Sequence, residues 1–310
     1  MNTPSNAMSQ PPLQSQPIAP ADISPAQRMY WSVRRELWET RSIYIAPLAV
    51  AALFLFGFLI SLIHLPARMR AASALDPMQL HHLIEHPFDI AALLIMGTTT
   101  IVTIFYCLDA LHGERRDRSI LFWKSLPVSD LTTVLSKASI PLVILPLLTF
   151  AITFITQGIM LFLGTAVLLG SGLNVALLRA HFSFSQMSLM LLYHLIVIHG
   201  LWYAPIYGWL LLISAWARRL AILWATLPLF GIAVFERIAF NTSHFTNLLK
   251  YHFGSGPDGV QFPGDTMAMG SMAQLNPFHF LLSPGLWFGL AVTAIFLAAA
   301  VRLRRYREPL

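Results

Sequence analysis

His194 and His199 stand five residues apart inside a long apolar run. An imidazole at membrane depth is either a ligand, a wall of a polar path, or a hydrogen-bonding group toward a neighbouring helix. Ligating haem or a metal needs inward-facing partners, usually on a second helix. A spacing of five does not place two rings on one face of a regular α-helix. The expected roles are therefore interhelical bonding or lining of a translocation path, and Gln157, in another apolar run, is grouped with the pair as a candidate pathway residue. Glu236 and Arg237 close a further apolar run. They read either as a gate or as the simple end of a span, with Arg237 able to snorkel or pair. Asp109 lies near basic residues and reads as structural.

Softer donors gather in two connecting segments: His64, His81, His82 and His86 with Met69 and Met78, then His244, His252, Met267, Met269 and Met272. Imidazole and thioether suit copper or a similar metal. No tight ligand spacing organises them, and both residue types are common in loops and packing. No GxxxxGK[ST], GxSxG or HExxH pattern occurs, so the chain is assigned no catalytic residue, no metal and no nucleotide cofactor of its own. Cys107 is the only cysteine, which excludes an intrachain disulfide and any CxxC site.

The elements that must position these groups are set by composition. Of 310 residues, 56% are hydrophobic and 11% charged, under half the charged fraction of soluble chains. Too little polar surface exists to cover a water-facing fold, so the bilayer is the solvent. Windows of about 19 residues locate six apolar spans, at 43–63, 90–111, 138–163, 189–215, 220–240 and 286–303. The fold class expected is an all-α polytopic membrane protein. Pro205 predicts a tilt or kink in the long fourth run, and Pro141, Pro146 and Pro228 predict similar breaks.

The net charge of +6 does not indicate nucleic acid, because the basic residues sit just beyond the spans. Taking alternate connections as one side, 15 of the 20 Lys and Arg fall with the two termini and 5 fall opposite. Both termini are expected in the cytoplasm, with the chain integral to the inner membrane of a bacterium. Residues 1–27, rich in Pro, Gln, Ser and Ala without an apolar core, read as a disordered tail, and 28–310 as one transmembrane domain. Residues 28–40 read as an amphipathic interfacial helix. Met29, Tyr30, Val33 and Leu37 form its apolar face, with Arg28, Ser32, Arg35, Glu36 and Glu39 opposite and Trp31 and Trp38 flanking, a pattern suited to lipid headgroups or else to a packed partner. The connection 241–285, rich in Gly and Pro, is the long outer loop, and its apolar second half fits a re-entrant element.

One cytoplasmic connection, 112–137, stands out. Glu114, Arg115, Arg116, Asp117 and Arg118 mix both charges, and Ile120, Leu121, Phe122, Trp123 and Leu126 follow as an apolar turn that Pro127 ends. Apolar side chains ringed by charge need cover, from a partner's groove or from the membrane surface as a second interfacial helix.

The run Glu114-Arg115-Arg116-Asp117-Arg118-Ser119-Ile120, followed by Ser125-Leu126-Pro127-Val128-Ser129 and Lys137, resembles the loop between spans two and three of ABC-2-type transporter permeases. The six-span layout, the helix before span one, the short turn Ala217-Arg218-Arg219 and the long connection before span six agree with that family. The resemblance covers most of the chain from about Arg28. It implies a coupling helix within residues 114–128 that sits in a cleft of a cytoplasmic ABC ATPase subunit, and a second permease subunit, the same or paralogous. It also implies that ATP and magnesium belong to the partner ATPase, and that the substrate is exported or extracted. Apolar spans favour a hydrophobic or amphipathic substrate, such as a lipid, peptide or antimicrobial. The competing readings are a non-transporting membrane assembly or sensory protein that recruits a soluble partner, and a metal- or haem-handling subunit.

Overall fold

A computed structural model describes residues 24–72, 76–117, 119, 128–173, 183–252 and 281–306. Among them all regular structure is helical, and six helices are long and apolar enough to cross a membrane. The chain is an integral-membrane-type helix bundle.

Helix α1 spans Pro25–Glu39. The Gln27 amide donates to the Ser24 hydroxyl at 3.3 Å while the Ser24 amide donates to the Gln27 side chain at 3.2 Å. This reciprocal cap, with Pro25 at the first helical position, starts the helix three residues before the amphipathic pattern alone places it. Its faces are also divided differently. Val33 and Leu37 pack on the main core, but so does Glu36, at 2% exposure, while Tyr30, Trp31 and Trp38 are exposed. The Arg34 guanidinium lies 5.1 Å and 4.8 Å from the Trp31 and Trp38 rings, a cation–π clasp along the outer side of the helix.

The first span is α2, Ser42–Ser61, which turns through a short 3-10 segment at Leu62–His64 into α3, Leu65–Ala72. Helix α4, Pro77–Asp109, has 33 residues, about 50 Å at 1.5 Å per residue and so longer than the hydrocarbon needs. Most of the expected loop between the first two spans is thus helix, and His81, His82 and His86 belong to α4. A short helix α5, His112–Arg116, follows. Span three comprises α6, Asp130–Ser139, a π-helical turn at Ile140–Ile144, and α7, Leu145–Gly170. Span four comprises α8, Phe184–His194, a π-helical stretch at Leu195–Trp202, and α9, Ala204–Trp216.

The π-helical stretches fall where Pro141, Pro146 and Pro205 remove backbone donors, so the expected breaks appear there as local widening. Pro228 behaves otherwise. Helix α10, Ala221–Phe240, runs through it without interruption. One missing hydrogen bond in an exposed, lightly packed helix does not by itself force a kink. Short α11, His244–Lys250, and the final span α12, Pro284–Tyr306, complete the described elements.

Helices α9 and α12 form the tightest pair. A Cβ at Gly208 would stand 3.3 Å from the Thr293 methyl, and one at Gly289 3.0 Å from the Pro205 ring, so small residues let the two backbones approach. Ile43, Tyr106, Cys107, Ile140, Leu145 and Leu211 fill the core where α2, α4, span three and α9 meet. Helix α10 stands at the periphery: only Ala225 is buried, and the Trp209 indole donates to its carbonyl at 3.0 Å. Both ends of α10 rest on left-handed residues, Leu220 (φ 49°) and Asn241 (φ 52°). Asn tolerates that conformation, whereas for Leu it is strained.

Candidate functional site

Where α1, α5, α6 and α12 converge, three acids and three bases form one buried network. Glu36 on α1 receives the Lys137 ammonium on both carboxylate oxygens, at 2.9 and 3.0 Å, the Arg35 guanidinium at 2.8 Å and the Tyr106 hydroxyl at 3.1 Å. Glu114 on α5 receives Arg35 at 2.9 Å and Lys137 at 3.1 Å on one oxygen, and Arg304 on the other. Arg304 in turn donates to Asp130, the first residue of α6, at 3.0 Å. Glu36, Lys137 and Arg304 are 2–3% exposed and Glu114 is 7% exposed.

Burying a charge costs several kcal/mol per ion unless geometry and further hydrogen bonds offset it. Here three negative side chains face three positive ones, with Glu39 at the exposed rim on Arg35 at 3.3 Å, and both buried glutamates accept from several donors, so the cost is offset only while the whole set stays assembled. The arrangement is a clamp with one good register. Lys137 is placed by the cap of α6, where the Ser129 hydroxyl accepts from the Thr132 amide at 3.1 Å. Arg304 is placed by the last turn of α12.

A second clamp holds α5 to span four. Arg115, 4% exposed, donates to the carbonyls of Ala215 and Ala217 at 2.8 and 3.2 Å. The Ser214 hydroxyl accepts from the amides of Leu111 and His112 at 3.0 and 2.9 Å. An arginine on the last carbonyls of α9 answers both the orphan acceptors and the helix dipole. The segment leaving span two is thereby fixed to α1 and to spans three, four and six.

Beside the network opens a cleft of about 790 Å³, bordered by Glu39, Phe105, Asp109, Glu114, Asp117 and Lys137 among others. Partial burial holds the Glu39 carboxyl above its ordinary range, more than the nearby Arg35 guanidinium offsets. Arg116 and Asp117 lie outside the clamp. Arg116 is 58% exposed and meets Asp117 at 3.1 Å and Asp109 at 3.8 Å, so Asp109 does reach the basic segment. Of the predicted coupling residues, Glu114 and Arg115 are internal, Arg116 and Asp117 are superficial, and Arg118, Ile120, Leu121, Phe122, Trp123 and Leu126 lie outside the described residues.

The predicted pathway residues do not form one site. Gln157 is buried and donates to the Phe88 carbonyl at 3.2 Å, bridging α7 and α4. His194 and His199 do share a face, with ring centroids 5.4 Å apart. That corrects the helical-wheel expectation: the π-helical stretch at Leu195–Trp202 has i→i+5 bonding, which brings residues five apart into register. Among the described residues no group of three or more His, Cys, Asp or Glu is arranged to hold a metal. Glu236 caps a helix: it accepts from the Thr242 hydroxyl at 2.8 Å and from the His244 and Phe245 amides at 2.7 and 2.9 Å, at the start of α11. Arg237 is exposed.

Sequence reasoning missed Glu36, Tyr106, Lys137, Ser214 and Arg304 as site residues. Arg304 served only to orient the spans and Lys137 to orient them and to extend the ABC-2-like run, although unlike charges within a turn of several span ends at one depth are themselves the pattern of a buried network. No family model, curated protein or solved structure matches this chain.

Proposed function

We propose that the chain is the membrane-spanning permease subunit of an ATP-driven ABC transporter, exporting or extracting a hydrophobic or amphipathic substrate. A separate cytoplasmic ATPase holds ATP and magnesium, and a second permease subunit, the same or paralogous, completes the pathway. Both termini then face the cytoplasm of a bacterial inner membrane, as the distribution of Lys and Arg favours.

The observation that carries the reading is the double clamp at Glu114 and Arg115. A loop that transmits force must be stiffly joined to the helices it moves, since a loop on a flexible tether dissipates displacement. Residues 117–129 depart from a segment fixed by Glu114 to Arg35, Lys137 and Arg304 and by Arg115 to the end of α9. They return directly into α6, whose Asp130 is held by Arg304. Both ends of the loop are anchored to one charge network, so a push on it moves α1 and spans two, three, four and six together. This divides the labour along the run resembling the ABC-2 motif: Glu114 and Arg115 seat the lever internally, while Arg116, Asp117 and the apolar residues after them meet the ATPase.

Purification of the full chain with an ATPase encoded beside it tests this. The complex should form, and Phe122→Ala with Trp123→Ala should uncouple its ATPase rate from the membrane subunit while leaving the bundle folded. If no ATPase associates, or if the double variant leaves rate and association unchanged, the reading fails.

A further inference from the structure

At the end of the bundle opposite the charge network, the 3-10 turn at Leu62–His64 bends the first span into α3. Beneath this elbow, between α3, α4 and α7, runs a narrow groove of about 80 Å³. Phe58, Leu65, Met69, Phe88 and Met160 supply apolar walls. The Ser61 hydroxyl at its edge is already committed to the Phe58 carbonyl at 2.7 Å.

Two groups there are not committed. Arg68 lines the groove, is exposed, and has no ion-pair partner among the described residues. Pro87, also in the wall, lacks an N–H, so the carbonyl of Leu83 one turn earlier loses its helical donor. A cation and an acceptor thus stand beside an apolar slot at the end of a membrane span. The groove is part-open and smaller than the about 150 Å³ cavity that takes up benzene, so it takes a few methylenes of an unbranched chain lying along it more readily than a bulky ring system. A chain in bilayer surroundings that brings its own anion is a phospholipid.

We propose that this groove seats the upper part of one acyl chain of an anionic phospholipid, with the phosphate against the Arg68 guanidinium and a headgroup hydroxyl donating to the Leu83 carbonyl. The lipid wedges the elbow between α3 and the paired helices α4 and α7, adding dispersion contacts that the narrow void lacks. Because it binds the folded bundle alone, it also raises stability by linkage. The site rests on the membrane-type bundle alone and is independent of the transport reading.

The full chain, purified in detergent and supplied with dioleoyl phosphatidylglycerol or dioleoyl phosphatidylcholine, is read by native mass spectrometry and by thermal unfolding. One phosphatidylglycerol should be retained in preference to phosphatidylcholine and should raise the unfolding temperature more. Arg68→Gln, at an exposed position, should cut that preference about fivefold, the factor one cation near an anionic surface is worth. A Cβ at Gly164 would lie 3.9 Å from the Leu65 side chain, in ordinary contact, so Gly164→Leu fills the groove without a backbone clash and should abolish retention with either headgroup. Met69→Trp, from the half-buried rim, should do the same should the Gly164 variant unfold. A lipid still held by a folded groove-filling variant overturns the proposal, as does an unchanged headgroup preference in Arg68→Gln. Loss on Arg68→Gln alone, with filling variants unaffected, means a surface charge contact only and equally overturns it.

Discussion

Glu36 and Lys137 lie 101 residues apart and meet with both carboxylate oxygens at 2.9 and 3.0 Å from the ammonium, each side chain 3% exposed. Removing one partner leaves the other buried and uncompensated, at a cost of about 3–5 kcal/mol. Glu36→Leu and Lys137→Met should each lower the thermal midpoint sharply in the purified protein. The double variant should lose much less than the sum, because the residues share one network. Strictly additive losses would mean the two groups are not coupled.

Span three and span four touch through their π-helical stretches. A Cβ on Gly200 would stand 2.9 Å from the Leu142 carbonyl oxygen, a backbone atom that no side-chain rotation can move away. Gly200→Ala should therefore destabilise by roughly 1–3 kcal/mol, the range for overpacking. Gly97 has nothing within 4 Å, so Gly97→Ala should be neutral or stabilising by up to about 1 kcal/mol, alanine being the better helix former. Thermal unfolding of the two variants side by side decides the matter, and equal midpoints would refute the close crossing.

Much of the bundle was legible because the bilayer requires long apolar runs, and all six runs became helices. What stayed hidden depended on pairing across the chain. Glu36 reads as one more acid on a polar face and Arg304 as one more orientation charge, since neither carries its partner nearby in sequence. The His194–His199 contact was hidden for a different reason: the helical wheel assumes 3.6 residues per turn, and the wider stretch beside Pro205 breaks that assumption locally. The start of α1 is set by the cap at Ser24-Pro25-Ala26-Gln27, which precedes the hydrophobic periodicity and so does not show in it.

Glu39 gives a pH dependence of definite sign. Burial raises its carboxyl above the ordinary range of a glutamate, more than the nearby Arg35 guanidinium lowers it. An acid with a raised folded-state value favours folding while protonated, and that contribution fades as pH rises through the raised value. The stability of the native chain relative to Glu39→Gln should thus be greatest in acid and decline as pH rises from the ordinary carboxylate range through the raised value. With the side chain 48% exposed, solvent screening keeps the effect small. Paired thermal unfolding across that range measures it, and a flat difference, or one that rises with pH, contradicts the burial.

Glu236 joins the end of α10 to the start of α11 through its bonds to the Thr242 hydroxyl and the His244 and Phe245 amides. A carboxylate at a helix start satisfies amides that have no intrahelical acceptor and meets the positive end of the dipole. Removing such a cap costs about 0.5–2 kcal/mol locally. Glu236→Ala should therefore speed hydrogen exchange at the His244 and Phe245 amides several-fold while leaving exchange in α9 and α12 unchanged, and Glu236→Gln should retain part of the protection. If the effect instead reached the core spans, Glu236 would be acting on the bundle as a whole, which is what a gate would do and a cap would not.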